Sequence, residues 1–276
     1  MAKGLSTPRG TLDVLPDEAS RRDALNALAG ELLGNAGYRR IDTPMFEATE
    51  LFKRGVGGST DIVRKEMYTF EDGSGRSLTL RPEGTATVAR SYIEHGMHKL
   101  PQPVKLWYTG PFFRYERAQA GRQRQFAQIG AEVLGSDAPA VDAELIAILD
   151  QILARIGAQG IRLRLGSLGS IEARAEYRQK LVDFLRTHED QVSDDVKSRI
   201  DENPLRAFDA DDPATQEVMK SAPLLLDHLS GDDADHFTEV RSLLDAVGVD
   251  YEIDPTLVRG LDYYTRTVFE FTSDAL

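Results

Sequence analysis

The chain of 276 residues is 41% hydrophobic and 28% charged, the profile of one large or two small folded domains and not of a disordered segment. No run of about 18 apolar residues is present to span a membrane, Met1–Ser6 lacks the apolar core of a secretory leader, and the absence of cysteine excludes disulfides, thiolate metal sites and a cysteine nucleophile, in keeping with a reducing cytoplasm. The formal charge of −12 argues by itself against a nucleic-acid partner, but it is unevenly spread: residues 1–130 hold 19 Lys and Arg against 15 Asp and Glu, whereas residues 131–276 hold 14 against 30.

Pro16 and Asp17 open a first helix, with Leu25, Leu28 and Leu32 on one face and Gly37 placed to end it. Arg39–Thr43 reads as a short strand stopped by Pro44. Arg54–Thr60 is polar and glycine-rich and reads as a surface loop. Tyr68 and Phe70, the turn Asp72-Gly73-Ser74-Gly75, and Leu78 and Leu80 form a hairpin signature. Pro82 and Glu83 open a helix that runs to about His95. Strands follow at Val104–Thr109, Phe112–Tyr115 and Phe126–Leu134, the last two joined by a loop rich in arginine and glutamine. A helix fits Ala140–Ile156, closed by Gly157, and Ile161, Leu163 and Leu165 alternate with arginines as a half-solvated strand.

From Ile171 the texture changes. Ile171–His188 is an amphipathic helix, and Val192–Val247 is acidic and mostly helical, broken at Pro204, Pro213 and Pro223. Tyr251–Ile253 and Thr267–Phe271 return to strand character. The expected architecture is α+β: an antiparallel sheet flanked by helices, made by residues 1–170 and 249–276, with 171–248 as a helical insertion.

No P-loop and no Gly-x-Ser-x-Gly elbow is present. His95 and His98 lack a third metal ligand and read as a solvated helix end. In Phe112–Glu132, Arg114, Arg117, Arg122 and Arg124 surround a hairpin. Their guanidinium forks suit a polyphosphate or a nucleic-acid backbone, and the pattern fits a solvated basic tip equally well. With Phe126 turned inward, Gln128, Gly130 and Glu132 are expected on the opposite face, lining a polar pocket. Leu257–Thr265 offers an Arg-Gly step before paired tyrosines, either a ligand-approaching loop or a bulge leading into a strand. In Leu80–Thr85, Glu83 is either a helix cap or a carboxylate for an ammonium group.

Together, and in this order, these stretches resemble histidyl-tRNA synthetases, a class II aminoacyl-tRNA synthetase family. Tyr38–Glu47 resembles class II motif 1, which forms the dimer interface in the family. Phe113–Glu132 resembles motif 2, and Leu80–Ala86 and Leu257–Thr265 resemble the histidine-specific signatures. The resemblance extends over the chain, including Asn203-Pro204-Leu205-Arg206. It implies a cytoplasmic, homodimeric ligase of protein biosynthesis that joins histidine to ATP as histidyl-adenylate, with Mg²⁺ on the nucleotide, and passes the histidyl group to tRNA(His).

The resemblance also implies residue roles. Arg114 contacts the α-phosphate, Arg122 reaches the terminal phosphates or the acceptor end, and Arg259 is a further cation beside the α-phosphate. Glu83 and Thr85 hold the α-amino group, and Gln128 sits near the reacting carboxylate. Glu132 and Tyr264 bond the imidazole, with Tyr263 lining the same pocket. No protein side chain is assigned to a metal. The alternative is a synthetase-like regulatory subunit of the ATP phosphoribosyltransferase of histidine biosynthesis. Ala118 and Ala127 replace residues usual in motif 2. The chain ends at Leu276, ahead of the motif 3 strand and anticodon-binding domain found in the family, and is therefore expected to be an N-terminal catalytic portion.

Overall fold

A computed structural model describes residues 5–57, 60, 62–117, 121–259 and 263–274. Of the positions singled out above, Gly58, Ser59, Ala118 and residues 260–262 lie outside this set. The chain divides into two compact units, Met1–Asp137 and Ala138–Leu276.

The first unit runs α1 (Pro16–Asn35), β1 (Arg39–Arg40), β2 (Phe46–Ala48), α2 (Thr49–Val56), β3 (Thr69–Glu71), β4 (Ser77–Leu80), α3 (Thr85–Glu94), β5 (Val104–Phe113) and β6 (Gln125–Leu134). Pro16 occupies the first turn of α1, where a missing N–H costs no helical bond, and Asp17 and Glu18 face the positive end of the helix dipole. Gly30 stands mid-helix because the Trp107 ring lies 2.9 Å from where a Cβ would project.

β5 and β6 pair antiparallel over ten residues each, from Val104 opposite Leu134 to Phe113 opposite Gln125, and β1 adds to β5 in parallel. The register corrects one expectation. Phe126, Gln128, Gly130 and Glu132 share a single face, as side chains two apart on a strand must. Phe126 therefore packs toward Phe112 on the same side as the polar row. Two further expectations change. The strand from Arg39 shrinks to two residues, and β5 continues unbroken through Pro111, which lies past the end of the β1 pairing and forfeits no ladder bond there.

β2, β4 and β3 form a second small sheet. The 69–71/77–80 hairpin is as expected, its turn held by Asp72, whose carboxylate accepts the Ser74 and Arg76 N–H groups. β2 and α2 are additions, because Pro44 and the glycines that follow α2 masked them. The faces are also inverted relative to simple patterning. Thr79 is 0% exposed and hydrogen-bonded to Thr49 and Thr69, whereas Phe46 is 51% and Phe70 44% exposed.

The second unit runs α4 (Pro139–Arg155), β7 (Ile161–Ser167), α5 (Ile171–Thr187), α6 (Asp194–Lys197), α7 (Pro213–Met219), α8 (Gly231–Val247), β8 (Glu252–Ile253) and β9 (Thr267–Ser273). β7 is central, parallel to β8 and antiparallel to β9. Ser170 caps α5 by accepting the Ala173 N–H, and Asp212 caps α7 by accepting that of Thr215. The stretch is broken at Pro204 and Pro213 as expected: Pro204 opens a 3₁₀ turn, Pro204–Asp209, and Pro213 starts α7, each in a first turn. Tyr177, Leu181 and Leu185 of α5 share a core with Val196, Ile200 and Val218 of the helical stretch and with Leu257 and Val268. The whole is a mixed α+β fold.

Candidate active site

In the first unit the chain leaves β4 at Leu80 and enters α3 at Thr85. Arg81 fixes this crossing. Its guanidinium is buried and donates to the carbonyls of Thr43 (2.9 Å) and Pro111 (3.0 Å) and to the Thr43 hydroxyl (3.1 Å), over the face of Phe112. Its backbone N–H donates to Met45 O, and its carbonyl accepts the Phe113 N–H. One residue thus ties the motif 1-like segment, the Leu80–Thr85 crossing and the motif 2-like strand together.

The helix expected from Pro82 begins at Thr85 instead, because Glu83 caps it. Glu83 is buried, and its two carboxylate oxygens accept the N–H groups of Thr85 and Ala86, both at 2.8 Å. Burial raises the Glu83 pKa, while those two donors and the nearby Arg114 charge pull it back. The Thr85 hydroxyl donates to Glu132 Oε1 at 2.8 Å. The same oxygen accepts the Tyr108 hydroxyl at 3.1 Å. Burial pushes the Glu132 carboxyl up to about 7; the two hydroxyl donors oppose that shift and the Glu83 charge adds to it. Two carboxyls of raised pKa therefore flank Thr85, a pattern characteristic of ligand sites.

Tyr108 is the residue that sequence reasoning missed. A Cβ at Gly84 would fall 2.1 Å from its hydroxyl, and one at Gly130 2.2 Å from its ring carbon bearing that hydroxyl. The ring lies in a slot that only two glycines leave open, which explains a glycine in the middle of β6. Both glycines are visible in the sequence. The strand register that sets Tyr108 opposite Gly130 is not.

Arg114 donates from Nε to Pro82 O at 2.9 Å and lies over Phe126, 5.3 Å from the ring centre. Glu116 stands 3.8 Å from Arg114 and 3.5 Å from the exposed Arg122, so two of the expected phosphate-binding arginines share one carboxylate. Arg124 lies over Tyr115 instead. Gln128 lies on the face of Glu132, four residues along β6 and opposite Gly110.

In the second unit, Tyr263 and Tyr264 stack with ring centres 5.1 Å apart. The Tyr264 carbonyl accepts Arg174 Nη1 at 2.6 Å. Arg259 donates to the carbonyl of Phe269 and lies 3.6 Å from Glu270. His95 and His98 are both exposed, at the end of α3 and in the following 3₁₀ turn. Among the described residues no group of three or more His, Asp or Glu is placed to hold a metal ion. No helix among them is long and apolar enough to cross a membrane.

Comparison with known proteins decides the family. A family model described as histidyl-tRNA synthetase matches residues 10–275. The chain belongs to the histidyl-tRNA synthetase family. It is 54% identical over 273 residues to a histidine–tRNA ligase of Thermosynechococcus vestitus, covering 99% of this chain and 64% of that protein. It is 50% identical over 274 residues to the histidine–tRNA ligase of Halorhodospira halophila, again covering 64% of it. The chain thus spans a little under two thirds of these relatives. The apo S. aureus histidyl-tRNA synthetase superposes with a TM-score of 0.77 at 39% identity, over 97% of this chain and 61% of that one. A Bacillus halodurans protein described as an ATP phosphoribosyltransferase regulatory subunit/histidyl-tRNA synthetase shares the fold, with a TM-score of 0.71 at 22% identity.

Proposed function

We propose that the protein is a histidine–tRNA ligase, of which this chain supplies the N-terminal catalytic portion: residues 1–170 and 249–276, with 171–248 as a helical insertion. The observation that carries this reading is the Glu83–Thr85–Glu132 cluster in a chain of the histidyl-tRNA synthetase family. The Glu83 carboxylate, held in place by two backbone N–H groups, has the charge to receive a substrate ammonium group. The Thr85 hydroxyl stands beside it for the same group. Glu132 is the acceptor for an imidazole N–H, and Tyr263 and Tyr264 are assigned to the same ring. A buried acceptor discriminates strongly against an apolar isostere, which would leave it unpaired.

In the first step a carboxylate oxygen of histidine attacks the α-phosphorus of Mg²⁺-bound ATP. The new P–O bond replaces the bond to pyrophosphate, which leaves. No general base is needed, because the attacking carboxylate is already ionised at neutral pH. The transition state gathers negative charge on the α-phosphate, and Arg114 and Arg259 are assigned to it, with Gln128 near the attacking carboxylate. Arg122 is assigned to the terminal phosphates or the acceptor end. In the second step a hydroxyl at the 3′ end of tRNA(His) attacks the carbonyl carbon and AMP departs.

The exposed apolar face of the β2–β4–β3 sheet, with Met45, Phe46 and Phe70, supports a homodimer through the motif 1-like region. We place the reaction in the cytoplasm. Histidine-dependent ATP–pyrophosphate exchange by the full-length protein tests the proposal. Absence of exchange sinks the ligase reading and favours the regulatory-subunit alternative.

A further inference from the structure

The helical stretch between β7 and β8 does more than pack beside the tyrosine loop. Two of its side chains hold that loop, one at the Tyr264 main chain and the other at the Arg266 side chain, on either side of Thr265. Arg174, in the first turns of α5, donates Nη1 to the Tyr264 carbonyl at 2.6 Å. Asp233, in the first turn of α8, is buried and lies 3.6 Å from the guanidinium of Arg266. The other Asp233 oxygen accepts the Ser170 N–H at 2.9 Å, which ties α8 to the cap of α5.

The backbone at Arg266 shows that this anchoring works against a preference. Arg266 has φ of 54°, the only positive φ at a non-glycine position among the described residues. Such a conformation persists only where surrounding contacts impose it. Here they are explicit. The Arg266 N–H donates to Gly169 O, and its carbonyl accepts the Leu168 N–H, both at 2.7 Å. Gly169 also has positive φ, and a Cβ there would fall 3.0 Å from Leu229 Cδ2 and 3.5 Å from an Asp233 oxygen. Leu257 and Val268, on either side of the loop, lie in one core with Tyr177 and Leu181 of α5, and Tyr264 packs against it.

We propose that Arg174 and Asp233 are positioning residues that hold the Tyr263–Tyr264 pair in its histidine-reading conformation. This makes the helical insertion part of amino-acid recognition. The inference rests on the ligase reading for its consequence, but not for its geometry. Without the anchors only a fraction of molecules carries the loop in its competent form, and apparent histidine affinity falls by that fraction.

The test uses the full-length protein with Arg174→Met, Arg174→Lys and Asp233→Asn. Lysine keeps one donor for the Tyr264 carbonyl, and asparagine keeps the size and the Ser170 contact while losing the charge. In pyrophosphate exchange, KM for histidine is expected to rise about tenfold in Arg174→Met and Asp233→Asn, the scale of one lost charged hydrogen bond. Arg174→Lys is expected to recover most of that rise. A lowered thermal midpoint with unchanged histidine KM assigns both residues a purely structural role and overturns the proposal.

Hydrogen–deuterium exchange provides a second readout that needs no activity. Amides of residues 263–266 are expected to exchange about tenfold faster in Arg174→Met and Asp233→Asn, with β5 and β6 unchanged. Unchanged exchange at 263–266 overturns the proposal even if wild-type activity is normal. Absent wild-type activity with faster loop exchange refutes the ligase reading and leaves the anchoring intact.

Discussion

Replacing Glu132 with glutamine separates what the carboxyl costs the fold from what it gives the ligand. Its pKa is raised from 4.5 to about 7, chiefly by burial. The folded protein therefore holds this proton to a higher pH than the unfolded chain does. Between these two values the folded state binds more protons, so stability falls as pH rises, and the loss is complete above about pH 7. At 1.36 kcal/mol per unit the penalty approaches roughly 3 kcal/mol, and we take ~2–3 kcal/mol because the side chain keeps some contact with solvent. Glutamine mimics the protonated acid, and its amide oxygen still accepts the Thr85 and Tyr108 hydroxyls. Urea denaturation from pH 5 to 8.5 should show near-equal stability of wild type and Glu132→Gln at pH 5. At pH 8.5 the variant should be more stable by about 2–3 kcal/mol, while histidine affinity in the full-length variant falls by about one to two orders of magnitude. The difference between the two curves is what counts, because Glu83 and other groups add their own slopes. Parallel curves, or a variant less stable at pH 8.5, would refute this assignment of the raised pKa.

Gly130→Ala places a methyl group against the Tyr108 ring. It is expected to cost about 1–3 kcal/mol in denaturation and to weaken histidine binding through Glu132; wild-type stability would mean that Tyr108 has room to move. Arg81→Met leaves the Thr43 and Pro111 carbonyls without their donor, and a loss of at least about 2 kcal/mol by the same assay is expected. Arg259→Ala in the full-length protein should lower the rate of adenylation far more than histidine affinity, measured by single-turnover kinetics and calorimetry. Equal losses would assign Arg259 to ground-state binding.

Much of the fold was legible where local chemistry decides it. Pro16 and Asp17 mark the start of α1, and the Asp72 turn marks its hairpin, because capping and turn residues act over a few positions. The small β2–β4–β3 sheet runs against simple patterning, which puts threonine outside and phenylalanine inside. Here Thr79 is buried and bonded to Thr49 and Thr69, while Phe46 and Phe70 lie at the surface. The site residues other than Tyr108 stood out individually, yet their grouping depends on register. Nothing local in the sequence pairs Tyr108 with Gly130 or brings the Thr85 hydroxyl to Glu132. Glu83 had two readings, cap or ammonium ligand. Its geometry satisfies the first, and the second belongs to the proposed ligase reading.

The site assignment is tested most directly by a crystal structure of the full-length protein with L-histidine. The predicted result is the α-amino group against Glu83 and the Thr85 hydroxyl, with an imidazole nitrogen within hydrogen-bond distance of Glu132. Histidine bound elsewhere, or bound with its ring away from Glu132, would contradict it.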